Sequence, residues 1–172
     1  ILFRLPAFLF RGAPAGDEAT YFGEILRLFD QGQSVQGLSP VSVPKLAFLL
    51  FNAPFVRIAY AITGNAGVSV SVLPFILSIF SLIIIYRLAL RLYGRDSAYW
   101  AGLCYAVIPF LVLRSHLMLT DGFFTAVFLL ATLFLNKYLD SQRTAHLFGA
   151  FILLSLLCSV RPEGYIIFAL AG

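Results

Sequence analysis

The chain has 172 residues, of which 60% are hydrophobic and 12% charged, and its formal net charge is +4. A soluble domain is usually about half apolar and about one quarter charged, so this composition excludes an ordinary water-soluble fold. The basic residues flank apolar segments and form no patch, which argues against a nucleic-acid partner. Cys104 and Cys158 lie in apolar runs without metal-binding spacing, so we expect buried free thiols.

Long uncharged runs predict an all-α, polytopic transmembrane helical bundle forming a single domain. Each run approaches the roughly 20 residues that cross about 30 Å of hydrocarbon. The chain lacks an initiating Met, and we expect it to be truncated at both ends. The end of a first membrane helix is predicted at 1–10. The later membrane segments all lie within 67–172, and they are predicted at 67–87, 97–113, 121–138, 144–160 and from 165, where a sixth helix begins.

The segment 11–66 is too long for a simple connection and is therefore a candidate for function. Residues 17–30 have the apolar periodicity of an amphipathic helix lying in the membrane interface. Residues 45–63 are long enough to span, but Lys45 and Arg57 would be costly there, at about 2.5–3.5 kcal/mol for a charge at a helix centre. We therefore predict a second interfacial helix at 45–63.

Short basic loops set the predicted orientation. Arg87, Arg91 and Arg95 follow the second membrane helix, and Lys137 and Arg143 follow the fourth. Such loops are usually cytoplasmic, so the link 11–66 should be extracytoplasmic.

Counting crossings brings three polar groups to one membrane face. Asp17 and Glu18 follow the first helix, Asp121 follows the third, and Arg161 and Glu163 follow the fifth. Ionisable residues at such a boundary are costly and usually functional. A carboxylate can accept the proton of a hydroxyl that attacks an anomeric carbon, and a guanidinium can hold a departing phosphate through two parallel hydrogen bonds.

Each candidate also has a structural explanation. The four acids stand at predicted helix starts, where they stabilise the helix dipole. Arg161 can extend from a helix end towards water, and His116, on the same face, can be a polar anchor. Asp17, Glu18, Asp121 and His116 could together supply ligands for a divalent metal, although their spacing matches no common metal motif.

Several short motifs, in this order, resemble the dolichyl-phosphate-mannose protein mannosyltransferases and the related lipid A aminoarabinose transferases. None of the motifs is specific alone, but together they cover nearly the whole chain. They are Gly16-Asp17-Glu18-Ala19-Thr20-Tyr21, Pro44-Lys45-Leu46, Tyr86-Arg87-Leu88 with Leu92-Tyr93-Gly94, Thr120-Asp121-Gly122 and Arg161-Pro162-Glu163-Gly164.

The resemblance implies a GT-C fold and an inverting membrane glycosyltransferase of the prokaryotic plasma membrane, with its active site on the extracytoplasmic face. The donor would be a polyprenyl- or dolichyl-phosphate sugar, and the acceptor a protein or glycolipid hydroxyl. Asp17 matches the catalytic acid of the first extracytoplasmic loop, and Glu18 stands beside it, so we predict that both are catalytic. The resemblance and the shared face together assign substrate or donor contacts to Asp121, Arg161, Glu163, Tyr21 and His116. Val43 departs from the family pattern, which commonly has a polar residue before the proline.

Two other classes fit a polytopic chain with boundary charges. A secondary transporter would bind its substrate near the membrane midplane and often shows an internal repeat. A non-enzymatic membrane subunit would tolerate neutral substitutions at all the candidate positions.

Overall fold

The computed structural model describes residues 13–14, 16–29, 45–108, 117–161 and 163–171, and all regular structure within these ranges is helical. The predicted end of a first membrane helix at 1–10, and also Val43, Pro44 and His116, lie outside them. The helices are α1 (Asp17–Phe29), α2 (Leu46–Thr63), α3 (Ala66–Tyr93), α4 (Arg95–Val107), α5 (Thr120–Ser141), α6 (Thr144–Cys158) and α7 (Glu163–Ala171).

The observed helices begin within three residues of the predicted ones. Two helix ends differ from the prediction by six residues: α4 is predicted to reach 113 but ends at Val107, and α3 is predicted to end near Arg87 but continues to Tyr93. Arginines at the end of a membrane helix do not stop it, because their long side chains can extend to water while the backbone stays helical. Gly94, with φ +88°, ends the helix and begins the turn into α4.

A tight turn joins α2 to α3. Gly64 adopts a left-handed conformation with φ +62°, and its N–H donates to the Tyr60 carbonyl at 2.9 Å. Asn65 then caps α3, since its Oδ1 accepts a hydrogen bond from the Val68 N–H at 3.1 Å. This glycine stop followed by an asparagine cap lets the chain leave one helix and start the next within two residues.

The helices α3 and α5 run in parallel and begin at the same end of the bundle. Near their other ends, the Arg91 guanidinium forms an ion pair with Asp140 and donates to the Asn136 carbonyl at 3.1 Å. We call the end where α3 and α5 begin the site end. We call the end with Arg91 the distal end.

The helix α2 packs with its first residues against the start of α5. Its last residue, Thr63, leads directly into α3, whereas Phe48 and Phe51 near its start contact Phe123 in the first turn of α5, with ring centroids 5.7 and 5.1 Å apart. Phe51 and Phe55 of α2 also line one apolar groove with Leu77 and Phe80, which lie 11 and 14 residues into α3. The helix α2 therefore packs against both α3 and α5.

The core is formed where α2, α3, α5 and α6 pack together, with Phe48, Val70, Phe123 and Leu154 among its buried residues. By length and composition, α2, α3 and α5 are each apolar enough to cross a membrane. The interfacial assignment of 45–63 thus stays a prediction. Both thiols are free, but the expectation that both are buried is wrong for Cys104, which is exposed on α4. An apolar run can face outwards when a helix is surrounded by lipid.

Candidate functional site

A buried hydrogen bond fixes the first turn of α1 to the segment that leads into α5. The Met118 N–H donates to Glu18 Oε1 at 2.5 Å, and Glu18 is only 5% exposed. Charge-assisted hydrogen bonds of this kind are about twice as strong as neutral ones. Asp121 follows Met118 by three residues, and three residues extend over at most about 11 Å. Asp121 therefore lies close to the start of α1.

Asp17 occupies a different environment from its neighbour. Its side chain is exposed, and it makes no hydrogen bond or ion pair with any residue in the described ranges. Successive residues on a helix point about 100° apart, so burying Glu18 against Met118 turns Asp17 towards solvent. The structure therefore separates the predicted pair into one anchored carboxylate and one open carboxylate.

Arg161 brings a positive charge to the start of α5, beside Asp121. Its Nη1 forms an ion pair with Asp121 Oδ1, and its Nε lies 3.9 Å from Glu163 Oε2. The side chains of Arg161 and Asp121 are 37% and 33% exposed, so the ion pair is fixed but accessible from outside. An arginine with part of its fork still exposed can bind a second anion.

The turn between α6 and α7 sets the position of Arg161. The N–H groups of Val160 and Arg161 both donate to the Leu157 carbonyl at 3.1 Å, and the Gly164 N–H donates to the Arg161 carbonyl at 3.0 Å. A Cβ atom on Gly164 would lie 2.5 Å from the Leu157 carbonyl oxygen. Only glycine allows the start of α7 to approach the end of α6 this closely.

Tyr21 is placed differently from the sequence prediction of a substrate contact. It is 1% exposed, packs edge-to-face on Phe48, and accepts a hydrogen bond from Lys45 Nζ at 2.6 Å. The Lys45 ammonium also lies 5.2 Å from the Tyr21 ring centroid. The substrate role of Tyr21 stays a prediction, and the observed contacts join α1 to the start of α2.

Sequence reasoning named six of the seven residues in these side-chain polar contacts at the site end, counting Lys45, but missed Met118. No side-chain pattern could have identified Met118, because it contributes a main-chain N–H. His116, a predicted substrate contact, precedes the described residue 117 and lies outside the described ranges. The catalytic and binding roles themselves remain predictions.

No group of three or more His, Cys, Asp or Glu residues suited to a metal ion occurs in the described part of the chain. The possible divalent metal stays a prediction, since His116, one of its predicted ligands, lies outside the described ranges.

The family model described as dolichyl-phosphate-mannose-protein mannosyltransferase matches residues 48–171, which include Asp121, Arg161 and Glu163 but not Asp17 or Glu18. No curated protein and no solved structure matches the chain. The family match covers well over half of the chain, and it agrees with an all-helical bundle whose helices can span a membrane. The chain belongs to the dolichyl-phosphate-mannose-protein mannosyltransferase family.

Proposed function

We propose that this chain carries part of the active site of a membrane glycosyltransferase that moves a sugar from a polyprenyl- or dolichyl-phosphate donor to an acceptor hydroxyl, with inversion. The observation that carries the proposal is an open carboxylate, Asp17, in the same region of the bundle as an anchored guanidinium, Arg161. The link between them runs through Glu18, Met118 and Asp121.

In the proposed reaction, Asp17 accepts the proton of the acceptor hydroxyl as its oxygen attacks the anomeric carbon. The bond between that carbon and the phosphate oxygen breaks, and the electron pair leaves with the lipid phosphate. Arg161 stabilises the negative charge that develops on this phosphate. Attack from the face opposite the leaving group in a single displacement inverts the anomeric centre.

Asp121 and Glu18 act in this proposal as positioning residues. Asp121 holds the guanidinium of Arg161 from one side and leaves the remaining donors for a phosphate. Glu18 fixes α1, and with it Asp17, to the start of α5. Glu163 contributes a second, longer contact to Arg161 and lies at the rim, with its side chain 59% exposed.

An apolar groove close to Asp121 supports the proposal that the donor is linked to a lipid. This groove has a volume of about 380 Å³ and is lined by apolar residues of four helices, among them Phe51, Leu77, Phe123 and Leu153. Phe123 is two residues from Asp121, so the groove begins within one helical turn of the proposed phosphate position. A hydrocarbon chain attached to that phosphate would find an apolar surface there.

We propose further that α2 lies along the membrane surface. Lys45 and Arg57 would make a spanning position costly, although the length and composition of the helix would allow it. The site would then face the extracytoplasmic side, opposite the arginines of the distal end.

The test is sugar transfer by the purified protein from a labelled polyprenyl-phosphate sugar, measured as released polyprenyl phosphate and glycosylated acceptor. Asp17→Asn removes the proposed base and should lower kcat by about 10²–10⁴-fold. Asp96→Asn is the matched control, because Asp96 is an exposed acid in the first turn of α4 at the distal end. Transfer by Asp17→Asn at the parental rate would eliminate Asp17 as the base, and absence of transfer by the parent itself would favour a non-enzymatic subunit.

A further inference from the structure

A second groove lies at the distal end, on the outer surface of the α3–α4 hairpin. This α3–α4 groove has a volume of about 520 Å³, and its walls include Leu82, Ile83, Tyr86, Leu90, Tyr99 and Leu103. Five of these six side chains are at least 37% exposed, so the groove opens outwards. Gly102 lies at its base and leaves space that a larger side chain would occupy.

One cation lines this otherwise apolar groove. Arg87 is exposed and forms no ion pair or hydrogen bond with another residue of the described part of the chain. Arg91, one turn further along α3, is already paired with Asp140. Arg95 and Asp96 at the start of α4 carry opposite charges and are not among the described lining residues, so Arg87 is the charged residue of this groove.

The depth of Arg87 fits the boundary between hydrocarbon and headgroups. It lies six residues before the end of α3 at Tyr93, or about 9 Å along the helix axis. A long arginine side chain can reach the headgroup level from that depth. Tyr86 and Tyr99, together with the neighbouring Trp100, add the aromatic rings that are enriched at this level.

We propose that the α3–α4 groove binds an anionic phospholipid, with an acyl chain between α3 and α4 and the phosphate on Arg87. A free phosphate ion would make no favourable contact with the apolar walls of the groove. A zwitterionic lipid would bring a cation of its own close to Arg87, which weakens the attraction. Basic pockets between membrane helices are typical sites for anionic headgroups. This site lies at the opposite end of the bundle from the proposed active site and does not depend on glycosyl transfer.

The sole tryptophan of the chain, Trp100, provides a local probe. Its ring centroid lies 5.8 Å from that of Tyr99, a wall of the groove. The full chain is reconstituted in phosphatidylcholine vesicles that contain a minor fraction of phosphatidylglycerol. Bromine atoms, which quench tryptophan fluorescence on contact, are placed on the acyl chains of either the phosphatidylglycerol or an equal fraction of the phosphatidylcholine.

We expect brominated phosphatidylglycerol to be enriched about fivefold over brominated phosphatidylcholine at Trp100, the ratio that one arginine contact with an anionic lipid typically gives. Arg87→Gln should make the two lipids quench equally, and Arg87→Lys should keep most of the preference. Gly102→Leu should also abolish the preference by filling the groove. A Cβ at residue 102 would lie 3.6 Å from Tyr86 Cδ2, an ordinary contact, so the helix hairpin should tolerate it.

Arg143→Gln is the control, since Arg143 is an exposed arginine of the distal end that does not line the groove. It should quench like the parent, and all variants should retain the parental helix content by circular dichroism. Equal quenching by both lipids in the parent, or an unchanged preference in Arg87→Gln or Gly102→Leu, would overturn the proposal. Protection of Trp100 from both lipids would also overturn it, because a protein surface would then cover the groove.

Discussion

Glu18 and Met118, 100 positions apart in the chain, are joined by one buried hydrogen bond from the Met118 N–H to Glu18 Oε1. This bond fixes the first turn of α1 to the segment that begins α5. It also determines which of two adjacent acids is open to solvent. Asp17 could act in proton transfer only if its helix is held in this position.

Glu18→Ala should lower the free energy of unfolding by about 1–3 kcal/mol, because it leaves the buried Met118 N–H without an acceptor. Glu18→Gln keeps a side-chain oxygen and should cost less. The measurement is thermal unfolding in detergent, followed by circular dichroism. Asp17→Asn serves as the control and should unfold with the parent, since Asp17 is exposed. Unchanged stability in Glu18→Ala would contradict the anchoring role.

Arg161→Gln should lower kcat/KM for the lipid-phosphate donor by about 10–100-fold, the effect of losing one or two hydrogen bonds to a charged group. Arg161→Lys keeps the charge but not the two parallel bonds, so it should recover only part of the loss. Asp121→Asn should have a smaller effect, because Arg161 would keep its charge but lose one of its two acidic partners. The experiment is steady-state transfer with the donor varied. If Arg161→Gln has the parental kcat/KM, Arg161 does not hold the phosphate.

Gly164→Ala should destabilise the protein by about 1–3 kcal/mol, because its Cβ would meet the backbone of Leu157 and Cys158 at 2.5–2.6 Å. Since the turn also positions Arg161, donor KM should rise in the same variant. The matched control is Gly23→Ala in α1, where a Cβ would have no neighbour within 4 Å. That substitution should be neutral or stabilise by up to about 1 kcal/mol. The readouts are thermal unfolding and donor kinetics for both variants.

Arg91→Gln and Asp140→Asn should each lower stability by less than about 1 kcal/mol, and the double variant should lose no more than the larger single effect. The ion pair is partly exposed, with side chains 31% and 63% accessible, and exposed pairs contribute little. A double-mutant cycle measured by thermal unfolding isolates their coupling. Additive losses would mean that the two side chains do not interact in solution.

Thiol labelling tests the topology. In a cysteine-free background, Ala19→Cys, Ile62→Cys and Gly122→Cys should all react with a membrane-impermeant reagent added from the same side. Ala145→Cys, near the distal end, should react only from the opposite side. Labelling of residues 19 and 122 from different sides would show that α2 crosses the bilayer, and the proposed site could not form.

The amino-acid sequence by itself determined the class of the protein and most of its helices. Uncharged runs of nearly membrane length, ended by arginines and glycines, predict a polytopic bundle because buried or lipid-facing backbone must satisfy its own hydrogen bonds. Its motifs also led to the family, which the match over 48–171 bears out. The order of acids and arginines along the chain was enough to predict that Asp17, Glu18, Asp121 and Arg161 belong to one region.

Only the tertiary structure decided how these residues differ. Glu18 is anchored and Asp17 is open because a helix turns by 100° per residue and only one of the two can face Met118. The packing of Phe48 on Phe123, the ion pair of Arg161 with Asp121 and the burial of Tyr21 beneath Lys45 depend on contacts between segments distant in the chain. Local periodicity carries no information about such contacts, because it records which face of a helix is apolar and not which helix will pack against it.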